Sequence, residues 1–114
     1  MELKFTQEVK DKWLENLKSG KYIQRYVGLH NKIDNTFCCI GVLGDCIEGL
    51  DNNVSENETK NETKNPYVFL RNNSIDVHSI WSLNDKQSKN QRTGYYNDDY
   101  SNVIPLIESL QVIE

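Results

Sequence analysis

Phe37-Cys38-Cys39-Ile40-Gly41-Val42-Leu43-Gly44-Asp45-Cys46-Ile47-Glu48-Gly49-Leu50 is the stretch on which the fold turns. Cys39, Val42, Leu43, Cys46, Ile47 and Leu50 share one face at helical spacing, which predicts a nearly buried second helix. Gly41 and Gly44 lie inside it, and each costs a helix interior about 1 kcal/mol relative to Ala. That cost is offset only where another backbone packs closely, so both glycines are expected contact points, with an interrupted helix as the other reading.

On the N-terminal side, Val9, Trp13, Leu14 and Leu17 recur on one face of Thr6 to Lys18, opposite Glu8, Lys10, Asp11, Glu15 and Asn16. This predicts an amphipathic helix that packs on the core, with Thr6 as its N-cap and Gly20 in the left-handed position after its end. Between the two helices, Tyr22-Ile23-Gln24-Arg25-Tyr26-Val27 reads as a strand, and Asn31 to Asn35 as a turn.

On the C-terminal side, Asp51 to Asn65 contains Asn-Glu-Thr-Lys twice in succession and Val54 as its one large apolar side chain. Such composition cannot offset its ordering entropy by burial, so a mobile Asn-rich loop is expected at 51–65. Asn53, Asn57, Asn61 and Asn72 begin glycosylation-type triplets, which the fourteen asparagines of the chain produce by composition alone. Pro66 to Leu70 reads as a short strand. Ile75, Val77, Ile80, Trp81 and Leu83 form an apolar cluster whose periodicity does not choose between strand and helix. A second polar loop is expected at 86–99, followed by a closing helix carrying Val103, Ile104, Ile107 and Leu110, with Ser101 or Asn102 as cap and Pro105 in its first turn. The expected architecture is a single α+β domain, residues 1–114: a small antiparallel sheet packed by an N-terminal helix, a Cys-containing helix and a C-terminal helix.

Composition narrows the function. Seventeen acidic against thirteen basic residues give a net charge of −4, which works against long nucleic acids as partners, since those are held by clustered Lys and Arg. No apolar run approaches the roughly 18 residues of a membrane span, and Met1 to Phe5 lacks the apolar region of a signal peptide. A cytoplasmic protein with no membrane partner is expected. Three cysteines, two of them adjacent, suit a reducing compartment better than a disulfide framework.

The start of the second helix holds the strongest chemical feature. First-turn amides and the helix dipole stabilise an anion there, which marks Cys38 as a possible nucleophile. His78 with Asn84 or Asp85 supplies the base and orienting group of a cysteine-dependent hydrolase, so the enzyme alternative uses Cys38, His78 and Asp85. The plain alternative is that the cysteines pack as small hydrophobes. Cys38, Cys39, Cys46, His30 and His78 lack the paired spacing of a zinc site, and no metal or other cofactor is expected. The same amides, at Cys38 and Cys39, form an anion site with Arg25, Arg71, Lys32 or Arg92 as counter-charge. Aromatics such as Phe37, Trp81, Tyr22 and Tyr95 can stack on a base, and Asn84 and Asp85 can bond a sugar or base edge. Together these define a candidate ligand site of Arg25, Phe37, Cys38, Cys39, Arg71, Asn84 and Asp85.

Gly28-Leu29, the run from Phe37 to Asp45, Leu83-Asn84-Asp85 and a closing Ile107-Glu108 helix resemble a group of small tailed-phage proteins. In those, a Trp-containing helix precedes Phe-Cys-Cys-Leu-Gly-Val-Leu-Cys-Asp, then Leu-Asn-Asp and a short acidic helix. Here Gly44 replaces the third cysteine of the pattern, and His78 has no counterpart in it. The resemblance implies a phage accessory protein in the host cytoplasm. By analogy such a protein blocks host defence, either by sequestering or destroying a nucleotide-derived signal or by binding a defence protein. The expected function is binding of a small anionic nucleotide-like ligand. The alternatives are a cysteine-dependent hydrolase acting on such a signal and a protein-binding inhibitor of a host factor. A homo-oligomer is compatible with all three.

Overall fold

Thr6 starts the first helix, α1 (Gln7–Lys18), its side chain accepting the Val9 amide at 3.3 Å, and Gly20 beyond the far end takes φ +79°. The computed structural model describes residues 3–25, 28–57, 62–85 and 100–113. Three two-residue strands follow α1: β1 (Ile23–Gln24), β2 (His30–Asn31) and β3 (Thr36–Phe37), in the order β1-β3-β2. The Asn31–Asn35 turn joins β2 to β3. It is held by the Asn31 and Asp34 side chains, which accept the Ile33 and Thr36 amides, and by Asn35 at φ 55°. The fold is α+β, but the sheet is mixed rather than antiparallel: β2 runs antiparallel to β3, whereas β1 pairs with it in parallel. The parallel pairing arises because the chain leaves β1, loops back through β2 and reaches β3 by a hairpin.

The Cys-containing helix, α2 (Cys39–Cys46), runs through the middle of the molecule, and six of its eight residues are buried. Both glycines are contact points. A Cβ on Gly41 would lie 1.9 Å from the Leu29 carbonyl oxygen, and one on Gly44 would lie 1.9 Å from Asn52 Oδ1. α2 packs against α1 and also against α3 (Pro66–Asn72) and α4 (Val77–Asp85), while α1 meets the closing α5 (Ile104–Glu108). Trp13, Phe5, Ile40, Leu43, Leu70, Ile80, Val103 and Ile107 fill the space between them. The Trp13 indole donates to the Cys39 carbonyl at 2.8 Å.

Two local expectations are overturned. Pro66 to Leu70 is helix, because Asn65 caps it through the Tyr67 and Val68 amides and Pro66 occupies the first turn, where a missing N–H costs nothing. Neither Ser101 nor Asn102 caps α5, which Val103 opens without a side-chain bond. Asn102 instead donates to the Leu83 carbonyl at 2.6 Å. The ambiguous cluster resolves as α4, with the Asp76 carboxylate accepting the Ser79 amide and hydroxyl. Those two bonds hold the Asp76 carboxyl below its ordinary value. Of the loop expected at 51–65, residues 58–61 lie outside the described residues, as do Tyr26, Val27 and the whole of 86–99. The remainder of the first loop is bonded: Asp51 N to Lys64 O, Asn65 Nδ2 to Val54 O, and Asn52 Nδ2 to Gly41 O.

Candidate functional site

The amides that open α2 are already bonded within the chain. Cys38 donates to the Leu29 carbonyl at 3.1 Å, and Cys39 to Asn84 Oδ1 at 3.0 Å. The Gly41 amide is taken by Cys38 Sγ at 3.3 Å, with Cys38 acting as N-cap. The expectation that the amides of Cys38 and Cys39 hold a phosphate is therefore corrected. The Leu-Asn-Asp word accounts for the change: Asn84, fully buried at the end of α4, caps α2 from across the core.

Asn84 uses every polar atom of its side chain. Its Oδ1 accepts from Cys39 N and from Gln24 Nε2 at 3.0 Å, and its Nδ2 donates to the Arg25 carbonyl at 2.9 Å and to Asp85 Oδ1 at 3.0 Å. Gln24, also buried, continues the network by donating to Asn102 Oδ1 and accepting the Tyr100 amide. The Tyr100 hydroxyl closes it on the Phe37 carbonyl at 2.7 Å. A saturated buried network of this kind fixes β1, α2, α4 and the entry to α5 in one arrangement. Asn84 is thereby a structural residue and has no polar atom left for a sugar or base.

The two sulfurs are enclosed. Cys39 is fully buried, and Cys38 is 2% exposed. Burial pushes the Cys38 thiol up to about 11, outweighing the lowering by the Gly41 and Ile40 amides. The helix-start effect on which a thiolate depends is thus present but smaller than the cost of desolvating the anion. Cys39 is driven up by burial as well. Phe37 is buried as well, stacked on the His30 ring at 4.1 Å and in T-shaped contact with Tyr22 at 5.0 Å, so it is taken up by packing.

Beside this closed network lies an open pocket of about 500 Å³. Tyr67 and Arg71, four residues apart on α3, form one wall. Val77, His78, Trp81 and Asp85 on α4 form the other, and Gly28, Cys38 and Glu56 complete it. The pocket brings together Cys38, His78, Asp85 and Arg71 from the sequence-based set, with Arg25 close by, its guanidinium 3.7 Å from the position of a Gly28 Cβ. Cys39, Phe37 and Asn84 lie outside it. Trp81 is 38% exposed and meets the His78 ring edge-on at 4.8 Å. Arg71 forms an ion pair with Glu56, both side chains about half exposed. Burial holds the Tyr67 phenol well above its ordinary value, so it stays a neutral donor. Tyr67 and Glu56 were not anticipated. An available signal for Tyr67 was its spacing of four from Arg71, which has meaning only once Asn65-Pro66 is read as a helix start. Among the described residues no three His, Cys, Asp or Glu side chains gather closely enough to hold a metal ion, and no helix is long and apolar enough to cross a membrane.

One family model, described as Domain of unknown function (DUF8296), matches residues 5–113. The chain belongs to the DUF8296 family. The matched span includes the α2 start, the buried network and the whole of the pocket wall. No curated protein and no solved structure matches this DUF8296 chain.

Proposed function

We propose that this DUF8296 domain binds a small nucleotide-like ligand in the pocket between α3 and α4. The observation that carries the reading is the coexistence, in one open cavity of about 500 Å³, of a half-exposed cation and exposed aromatic edges that the core does not use. That volume falls within the range of small-ligand sites. Trp81 and His78 offer ring surface to a base, Arg71 offers a charge-assisted fork to a phosphate, and Asp85, which already accepts the Asn84 side-chain amide through one oxygen, adds a carboxylate that accepts from sugar or base. In the wider proposal, which rests on the resemblance to tailed-phage proteins, the domain is an anti-defence accessory protein of the host cytoplasm that sequesters a nucleotide-derived signal. The cysteine-hydrolase alternative has less support, because a thiol at about 11 is protonated near neutral pH and its sulfur already accepts the Gly41 amide.

Calorimetric titration with ADP-ribose and cyclic nucleotides tests the reading. Saturable binding is expected with at least one of these classes. Arg71→Ala and Trp81→Ala should each weaken it by about tenfold, equivalent to ~1.4 kcal/mol. Absence of both heat and thermal stabilisation across both classes would remove the proposal.

A further inference from the structure

Arg71 is the described cation that lines the pocket, and in the structure it is engaged. Its Nη2 bonds the Glu56 carboxylate, and its Nε reaches back to the Tyr67 carbonyl of its own helix at 3.5 Å. Glu56 lies on the segment that follows α2, lines the same cavity, and places a carboxylate where a planar guanidinium would receive an anionic group of a ligand. A carboxylate and a phosphate oxygen compete for the same donors of the fork. The pair is half exposed, with side-chain exposures of 54% and 46%, and an ion pair in that setting is weak enough to exchange.

We propose that Glu56 is a specificity-determining residue, an internal stand-in for the ligand's anionic group that holds Arg71 and must yield it when a phosphate enters. This rests on the reading of the pocket as a nucleotide site and adds a selectivity to it. Glu56 and a ligand's anionic group therefore compete for one guanidinium of the lining, and a probe that carries no phosphate gains nothing from its release.

The test compares ADP-ribose with adenosine, which carries no phosphate, on the full chain and on Glu56→Gln at low ionic strength. Glu56→Gln should tighten ADP-ribose by about two- to fivefold, the fold-change equivalent of a weak exposed ion pair, and leave adenosine unchanged. In an Arg71→Gln background the gain should vanish, since the two residues act through one contact. An ADP-ribose affinity that is unchanged, weakened or altered by the same factor as adenosine overturns the role of Glu56 while leaving the pocket reading in place. Failure of the unaltered chain to bind ADP-ribose or adenosine overturns the Glu56 assignment, and failure to bind the cyclic nucleotides as well overturns the pocket reading. Glu56 lies on an exposed segment, and equal melting temperatures of the two proteins establish that a difference in affinity is not a difference in folding.

Discussion

The start of α2 and the cleft between α3 and α4 share Cys38 as a common wall, yet they use their polar groups in opposite ways. At the α2 start, each amide and side-chain atom of the Cys38–Asn84–Gln24 network has a partner within the chain, and Asn84 is fully buried. A few ångströms away, Trp81, Arg71 and Glu56 keep substantial exposure around an open cavity. The denser cluster of functional-looking residues is bonded as scaffold, and the sparser one is the exposed surface on which the proposed ligand site rests. A polar side chain signals a site when it stays exposed at a cavity with a partner it can exchange, as Arg71 does with Glu56, and the residue type alone does not say whether it is.

That contrast fixes what substitutions should do. The largest expected effect on stability is Asn84→Ala, which leaves Cys39 N, Gln24 Nε2 and the Arg25 carbonyl without this partner. Gln24 Nε2 keeps Asn102 Oδ1, so the cost is the orphaned Cys39 amide, about 1–3 kcal/mol, plus the cavity left by a fully buried side chain; a loss of ~3 kcal/mol is expected in urea unfolding, and a loss below about 1 would contradict the scaffold role. Gly41→Ala comes next. Its Cβ would meet the Leu29 backbone oxygen at 1.9 Å, an obstacle that no rotamer change relieves, and ~2 kcal/mol of overpacking strain is expected in the same assay.

Alkaline pH acts through the buried thiols. Cys38 in the folded chain lies near 11, above its ordinary value near 9, and Cys39 is also raised, so the folded state holds these protons more tightly than the unfolded one. The resulting stability is complete below about pH 9 and is lost as pH climbs toward 11, at on the order of 1 kcal/mol per pH unit for each thiol. Unfolding midpoints between pH 8 and 11 should therefore fall, and Cys38→Ala should flatten the slope. Iodoacetamide at pH 7.5 should leave Cys38 and Cys39 unlabelled until the chain unfolds. The smallest effect belongs to the pocket: Trp81→Ala should change stability by no more than about 0.5 kcal/mol while costing ligand binding.

Where neighbours in sequence decide the structure, the reading succeeds. Thr6, the Val9-Trp13-Leu17 stripe and Gly20 delimit α1, and the glycines of α2 announce close approach before its neighbours are known. It fails at Tyr67-Val68-Phe69, whose β-branched and aromatic character suggests a strand, whereas the Asn65 cap and Pro66 decide for helix. The strand reading separates Tyr67 from Arg71, which share a pocket wall only on a helix. Asn84 reads from sequence as a ligand contact or as a cap of its own backbone, but not as the cap of α2, because its partners Cys39 and Gln24 lie 45 and 60 residues away. Cys38 was placed correctly at a helix start, yet no local pattern gives the burial that reverses the effect of the dipole on its thiol.

The most direct test of the central claim is an amide- and indole-resolved NMR titration of the full chain with ADP-ribose. The account predicts saturable shifts at Tyr67, Arg71, Asp85 and the Trp81 indole, with the Cys39 and Val42 amides and the Trp13 indole unmoved. Shifts centred on Cys39 and Gly41 with the Trp81 indole silent, or no shift at any of these positions with millimolar ADP-ribose and again with millimolar cyclic nucleotide, would contradict it.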